Sequence, residues 1–157
     1  MPRQPSARAL DHAYRFFNEI GIIAQLSANE MARVLPHGLT PSQFSVLNWF
    51  VRVDDEATPG RLATAFQVTK GAMTNTLKRL EEKGFVSVSP DPASGRRKLV
   101  HLTAAGRTAR EAAVAATFPL LATLLEAVDR RRIDAMLPEL EAVRRFLDEA
   151  RFSGSGS

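Results

Sequence analysis

Apolar residues recur along this chain at helical spacing, and the points where the spacing fails divide it into elements. From about Arg8 to Leu35 the run Leu10, Tyr14, Phe17, Ile20, Ile23, Leu26 and Met31 keeps to one face. Phe16 and Ile22 widen that face beyond a single stripe, which predicts burial against more than one neighbour. The segment Pro36-His37-Gly38-Leu39 breaks the pattern. Thr40, Pro41 and Gln43 then supply a cap, a first-turn proline and the far end of a capping box. The helix they start carries Phe44, Leu47 and Val51, with Trp49 and Phe50 beside them, and stops in the acidic loop Asp54-Asp55-Glu56.

Thr58 and Pro59 mark another start. A short helix through Leu62, Ala63 and Phe66 ends near Gln67, and Thr69 can cap the next, which runs to Lys83 with Gly84 as its stop. Two helices parted by a turn of about three residues have helix-turn-helix spacing. The second sorts its residues by face. Met73, Leu77 and Leu80 form an apolar side, with Ala72 and Thr76 next to it, while Gly71, Thr74, Asn75 and Lys78 form a small, polar, basic side. A helix lying in a major groove needs such a side: small residues let the backbone approach, and longer donors reach base edges or phosphates. Phe85–Ser89 and Leu99–Thr103 alternate apolar and polar as half-buried strands do, and between them lie Pro, Gly and Ser with Arg96, Arg97 and Lys98. A hairpin with a basic tip after such a helix is a wing.

Thr103 starts a helix that Pro119 bends or breaks, and Leu120, Leu121, Leu124, Leu125 and Val128 continue its apolar pattern. A last helix after Asp129 carries Ile133, Met136, Leu137, Leu140, Val143 and Leu147 at near-heptad spacing, interrupted by Pro138. The domains read from this are a polar leader at 1–7, a winged helix-turn-helix lobe at 40–103, helical segments at 8–36 and 104–150 forming a dimerisation region, and a flexible tail at 151–157. A thin winged lobe cannot bury two long end helices alone, so exchange between subunits explains their apolar stripes. The fold class is α+β, mostly helical.

Charge sharpens the picture. Gly60 to Arg107 holds nine basic and three acidic residues, a net of +6, while the whole chain is only +4. A basic centre between near-neutral ends suits a polyanion, or else is a solvated surface. Cysteine is absent, which removes disulfides, thiol nucleophiles and cysteine zinc sites and fits a reducing cytosol. His12, His37 and His101 show no metal-site spacing, so no metal or cofactor is expected. Walker A and GxSxG motifs are missing, and the GxG in the tail carries no chemistry, so an enzyme is not expected. No apolar run approaches the roughly 20 residues of a membrane span, and no signal-peptide pattern is present. The expected place is the cytoplasm, on the nucleoid of a bacterium.

The stretch TPGRLATAFQVTKGAMTNTLKRLEEKGFV followed by DPASGRRKLVHLTAAG resembles the MarR family of bacterial transcriptional regulators, and the likeness runs from about Asp11 to Ala150. It implies a triangular homodimer with helices from both chain ends interlocked, and two winged lobes on a pseudo-palindromic operator. It also implies a repressor, and in many members release by a small aromatic or phenolic anion bound between the dimer region and the lobe. One departure stands out. The family wing has Asp-x-Arg before its second strand, whereas here Ser94, Gly95 and Arg96 occupy those positions, with Asp91 three residues earlier as a candidate substitute. The lack of cysteine excludes thiol-based peroxide sensing.

The DNA-contact candidates are Thr69, Lys70, Gly71, Thr74, Asn75, Lys78 and Arg79 on the helix and Arg96 and Arg97 on the wing; the alternative is an exposed amphipathic helix and a solvated loop tip. Asn75 can read an adenine edge or hold a phosphate, Lys78 and Arg79 suit phosphates, and Arg96 and Arg97 suit the minor groove or the backbone. His12, Tyr14, Arg15 and Trp49 are effector-site candidates, an aromatic plate and a cation being matched to an aromatic anion, with core or interface packing as the alternative. A winged protein-interaction module that has lost DNA binding is the rival class.

Overall fold

The structure is a computed structural model that describes residues 4–153, with side chains through residue 150. Its elements run α1 (Ala7–Val34), α2 (Pro41–Arg52), β1 (Glu56–Ala57), α3 (Pro59–Phe66), α4 (Lys70–Glu82), β2 (Val86–Asp91), β3 (Ser94–Leu102), α5 (Ala104–Ala116), α6 (Phe118–Ala127) and α7 (Arg130–Ser153). The chain divides after Thr117 into two units.

In the first unit every helix starts on a hydroxyl. Ser6, Thr40, Thr58, Thr69 and Thr103 each accept the N–H three residues on, those of Ala9, Gln43, Arg61, Ala72 and Gly106. Each such cap is worth about 1 kcal/mol. Thr40 completes its capping box, since Gln43 Oε1 accepts the Thr40 N–H. Gln67, in the left-handed region at φ 52°, ends α3 and turns the chain into α4.

The core is built where α2, α3 and α4 meet the sheet. Val46, Leu47 and Phe50, Leu62, Leu80 and Val100 are its largest fully buried side chains. Within the helical segment 104–150 expected to form the dimerisation region, Ala109 and Ala113 of α5 close this core. Their small side chains let α5 lie close to α2, where Arg110 donates twice to Asn48 Oδ1, at 2.8 and 3.1 Å. Met31 and Leu35, at the end of α1, rest on the same core, but no residue of α1 itself is fully buried.

The sheet order is β1-β3-β2, antiparallel throughout. β1 falls in what reads as an acidic loop: two residues show no periodicity, and the strand exists because Glu56 and Ala57 pair with His101 and Val100. The hairpin strands are also longer than their alternation predicts, because ladder pairing extends into the polar segment.

In the second unit, α6 begins at Phe118, beside the proline expected to break the preceding helix. Pro138 departs from expectation, since α7 continues through it. The proline forfeits one backbone hydrogen bond, but Met136, Leu137, Leu140 and Glu141 around it are strong helix formers. α7 likewise runs on through Ser153, past the expected start of the tail at 151, because no helix breaker lies between Pro138 and Gly154. Residues 1–3 of the leader and 154–157 of the tail lie outside the described residues. Among the described residues, no single helix is long and apolar enough to cross a membrane.

Candidate nucleic-acid interface

Helix α4 is two-faced. Met73, Leu77 and Leu80 are buried against α2, α3 and the sheet. Thr69, Lys70, Gly71, Thr74, Asn75, Lys78 and Arg79 are all exposed. A Cβ built on Gly71 would meet nothing within 4 Å, so no neighbour in its own chain requires glycine there.

The wing displays its cations through a break in register. Pro90 pairs with Lys98, but the next residue, Asp91, pairs with Ser94. Gly95, Arg96 and Arg97 of β3 therefore have no partners on β2 and form a bulge. Proline has no N–H to give the ladder, which favours the break at this point. Asp91 does not replace the missing wing acid: its Oδ1 accepts the Ala93 N–H at 2.9 Å and so closes the hairpin tip.

Charge pairing separates cations that look alike in the sequence. Arg79 is paired with Glu82 at 3.1 Å, and Lys83 donates to the His37 carbonyl at 2.9 Å. Among the described residues no ion pair engages Lys70, Lys78, Arg96, Arg97 or Lys98. Two adjoining clefts gather most of these. One, of about 470 Å³, is lined by Thr58, Pro59, Gly60, Arg61, Lys70, Thr74, Arg97 and Lys98. The other, of about 500 Å³, is lined by Pro59, Thr74, Leu77, Lys78, Glu81, Val88, Lys98 and Val100. The exposed side of α4 and the return strand of the wing thus face one basic groove. Arg96 lines a third hollow that shares Glu81, Val88, Arg97 and Lys98 with the two clefts, and Gly71, Asn75 and Arg79 line none of the three.

Arg61 joins this groove from the start of α3; by sequence it counted only as one charge among nine. Its guanidinium lies 5.1 Å from the centre of the Trp49 ring and donates through Nη1 to Asp54 Oδ2 at 2.6 Å. That bond, and the Glu56 N–H behind it, hold the Asp54 carboxyl below its ordinary pKa. Trp49 is half-buried, edge-on to Phe50, and packs on the core. His12, Tyr14 and Arg15 are exposed on α1, and among the described residues no hydrogen bond, ion pair or ring contact joins them to Trp49. His101 lies on the sheet between Glu56, at 3.5 Å, and Ser89, at 3.4 Å, and His37 forms the turn before α2 at φ 60°.

Residues 37–97 match the sequence model of the MarR family. The HTH-type transcriptional regulator YdgG of Bacillus subtilis (strain 168) is 32% identical over 89 residues, covering 55% of this chain and 59% of that protein, so the match spans little more than half of the relative. Wild-type apo MarR from E. coli superposes with a TM-score of 0.70 at 28% identity, covering 80% of this chain and 93% of that one. The regulator BldR from Sulfolobus solfataricus gives 0.72 at 25% identity over 89% and 97%. A mutant MarR from E. coli complexed with operator DNA gives 0.68 at 27% over 85% and 96%. Residues 37–97 thus form a MarR-family lobe, and the chain has the fold of that family's winged helix-turn-helix transcriptional regulators.

Proposed function

We propose that the protein is a homodimeric repressor that binds a pseudo-palindromic operator in double-stranded DNA. The observation that carries this is the basic groove, in which Lys70 and Lys78 of α4 and Arg97 and Lys98 of the wing are exposed and, among the described residues, engaged in no ion pair, although Glu81 lines the groove beside Lys78. Unpaired cations displayed from a rigid helix and a bulged strand suit phosphates, because no internal ion pair must break before they bind. α4 enters the major groove, with Thr69, Gly71, Thr74 and Asn75 toward the bases, Lys70, Lys78 and Arg79 toward the phosphates, and Arg96 and Arg97 toward the flanking backbone or minor groove. Release by a small aromatic or phenolic anion completes the proposal, with the aromatic and cationic side chains His12, Tyr14, Arg15 and Trp49 as its candidate contacts. Binding rather than turnover is the activity, and the cytoplasm is its place.

Selection from a random duplex library is expected to enrich a palindrome with half-sites roughly 10 base pairs apart. If both lobes together neutralise on the order of eight phosphates, log K should fall against log salt with a slope near −7. A library that yields no preferred sequence, or an affinity indifferent to salt, overturns the reading. Neutral substitutions at Lys70, Asn75 and Arg96 that leave cellular function intact would favour a protein-interaction module.

Gly71 gives a second test. Gly71→Ala has room in the free protein and replaces a poor helix former, so stability should rise by up to about 1 kcal/mol. Duplex affinity should fall about tenfold, because the added methyl holds α4 away from the groove floor. Thermal melts and a binding titration on the same sample separate the two effects. A variant that is more stable and binds equally well would show that no close approach occurs there.

A further inference from the structure

Arg61 is a cation at the mouth of the basic groove whose charge is already partly committed. Asp54 holds Nη1 in a surface pair, with the two side chains 51% and 36% exposed. The Trp49 ring lies against the guanidinium. Nε and Nη2 donate to nothing among the described residues, and the residue lines the same cleft as Lys70, Thr74, Arg97 and Lys98. A side chain gripped in this way loses little rotamer freedom on meeting a ligand, and a solvent-exposed ion pair of this kind contributes little. A phosphate can therefore take the guanidinium from Asp54 at small cost.

We infer that Arg61 is a phosphate contact held ready by Trp49 and Asp54, and that DNA binding transfers it from the Asp54 carboxylate to the backbone. This rests on the DNA-binding reading above and extends it to the start of α3. Asp54 restrains the contact and Trp49 positions it. Because the contact is with phosphate, it adds affinity on any duplex sequence and leaves base preference unchanged. Trp49 is the single tryptophan of the chain, so its emission reports on the cation beside it.

The test uses the full chain and a random-sequence 24-base-pair duplex, titrated from 50 to 200 mM salt. Arg61→Ala should weaken binding about fivefold and make the salt slope shallower by about 1 per lobe. Arg61→Lys should keep the slope, which also controls for misfolding. Asp54→Asn should tighten binding about threefold when Arg61 is present, and its gain should shrink in the Arg61→Ala background. Wild-type Trp49 emission should shift on adding duplex, and the shift should vanish in Arg61→Ala. If the wild type binds and Arg61→Ala matches it in affinity and slope, the inference falls while the DNA reading stands. An equal gain from Asp54→Asn in both backgrounds reduces Asp54 to simple repulsion and also overturns it. If the wild type fails to bind duplex at 50 mM salt, both readings fall together.

Discussion

Replacing Gly106 by alanine is expected to destabilise the lobe by about 3 kcal/mol, lowering its melting temperature by roughly 10 °C. The residue sits in the first turn of α5, where glycine ordinarily weakens a helix, so the substitution would be stabilising if propensity decided. Packing decides instead. The added Cβ would sit on the carbonyl oxygen of Phe85 and 2.9 Å from Leu102 Cδ1. The first of these is backbone and cannot swing aside as a flexible side chain could. The same carbonyl accepts the Thr103 N–H at 3.2 Å, while Thr103 Oγ1 donates to the Gly84 carbonyl at 2.7 Å and accepts the Gly106 N–H at 3.0 Å. This knot joins the end of α4, the root of both wing strands and the start of α5. A shift there costs core contacts and also moves the wing relative to α4. Urea or thermal denaturation reads the loss directly, and an unchanged midpoint would mean that the junction yields without cost. Gly71 and Gly106 therefore carry opposite expected signs for one chemical change, because one faces open space and the other a carbonyl.

What the sequence shows of this molecule depends on how local each feature is. The caps Thr40, Thr58, Thr69 and Thr103 and the buried row Met73, Leu77 and Leu80 are legible because a helix writes them into spacings of three and four residues. β1 is not, since two residues whose only reason to be extended is a partner more than forty positions away carry no pattern. The wing bulge was equally hidden: Pro90 hints at a break, but the three-residue slip exists only in the pairing of β2 with β3. The candidate site divides in the same way. The exposed side of α4 follows from periodicity, whereas the commitment of Arg79 to Glu82 and of Arg61 to Asp54 and Trp49 is fixed by side-chain geometry. Pro138 shows propensity outvoting a single breaker, which window-by-window reading misjudges.

Introducing Glu at both Ile23 and Leu26 is expected to convert the proposed dimer to monomer and to weaken operator binding on the order of 100-fold. α1 is 28 residues, roughly 42 Å of helix, and none of its residues is buried within the chain. Ile23 and Leu26 are each 61% exposed, and Leu10, Tyr14 and Phe17 are exposed along the same helix. In the second unit, Leu121, Leu124 and Leu125 of α6 and Leu137, Leu140 and Leu147 of α7 are also exposed. Exposed apolar side chains repeated at helical spacing along each of these helices are far more than the isolated exposed leucines of an ordinary surface. A second copy of the chain is the occupant that explains both sets at once and also supplies two lobes for two half-sites. In a separate chain the substitutions fall on solvated positions and cost little folding energy. In a dimer each places a carboxylate in an apolar interface, at a cost of several kcal/mol unless it is paired. Once the copies part, the second lobe no longer benefits from the millimolar effective concentration that a shared scaffold provides, and operator affinity collapses to that of one lobe. Sedimentation equilibrium reads the mass and a duplex titration reads the affinity. A doubly substituted chain that keeps the dimer mass would move the interface off this face of α1, whereas a wild-type chain already monomeric at micromolar concentration would sink the dimeric repressor outright.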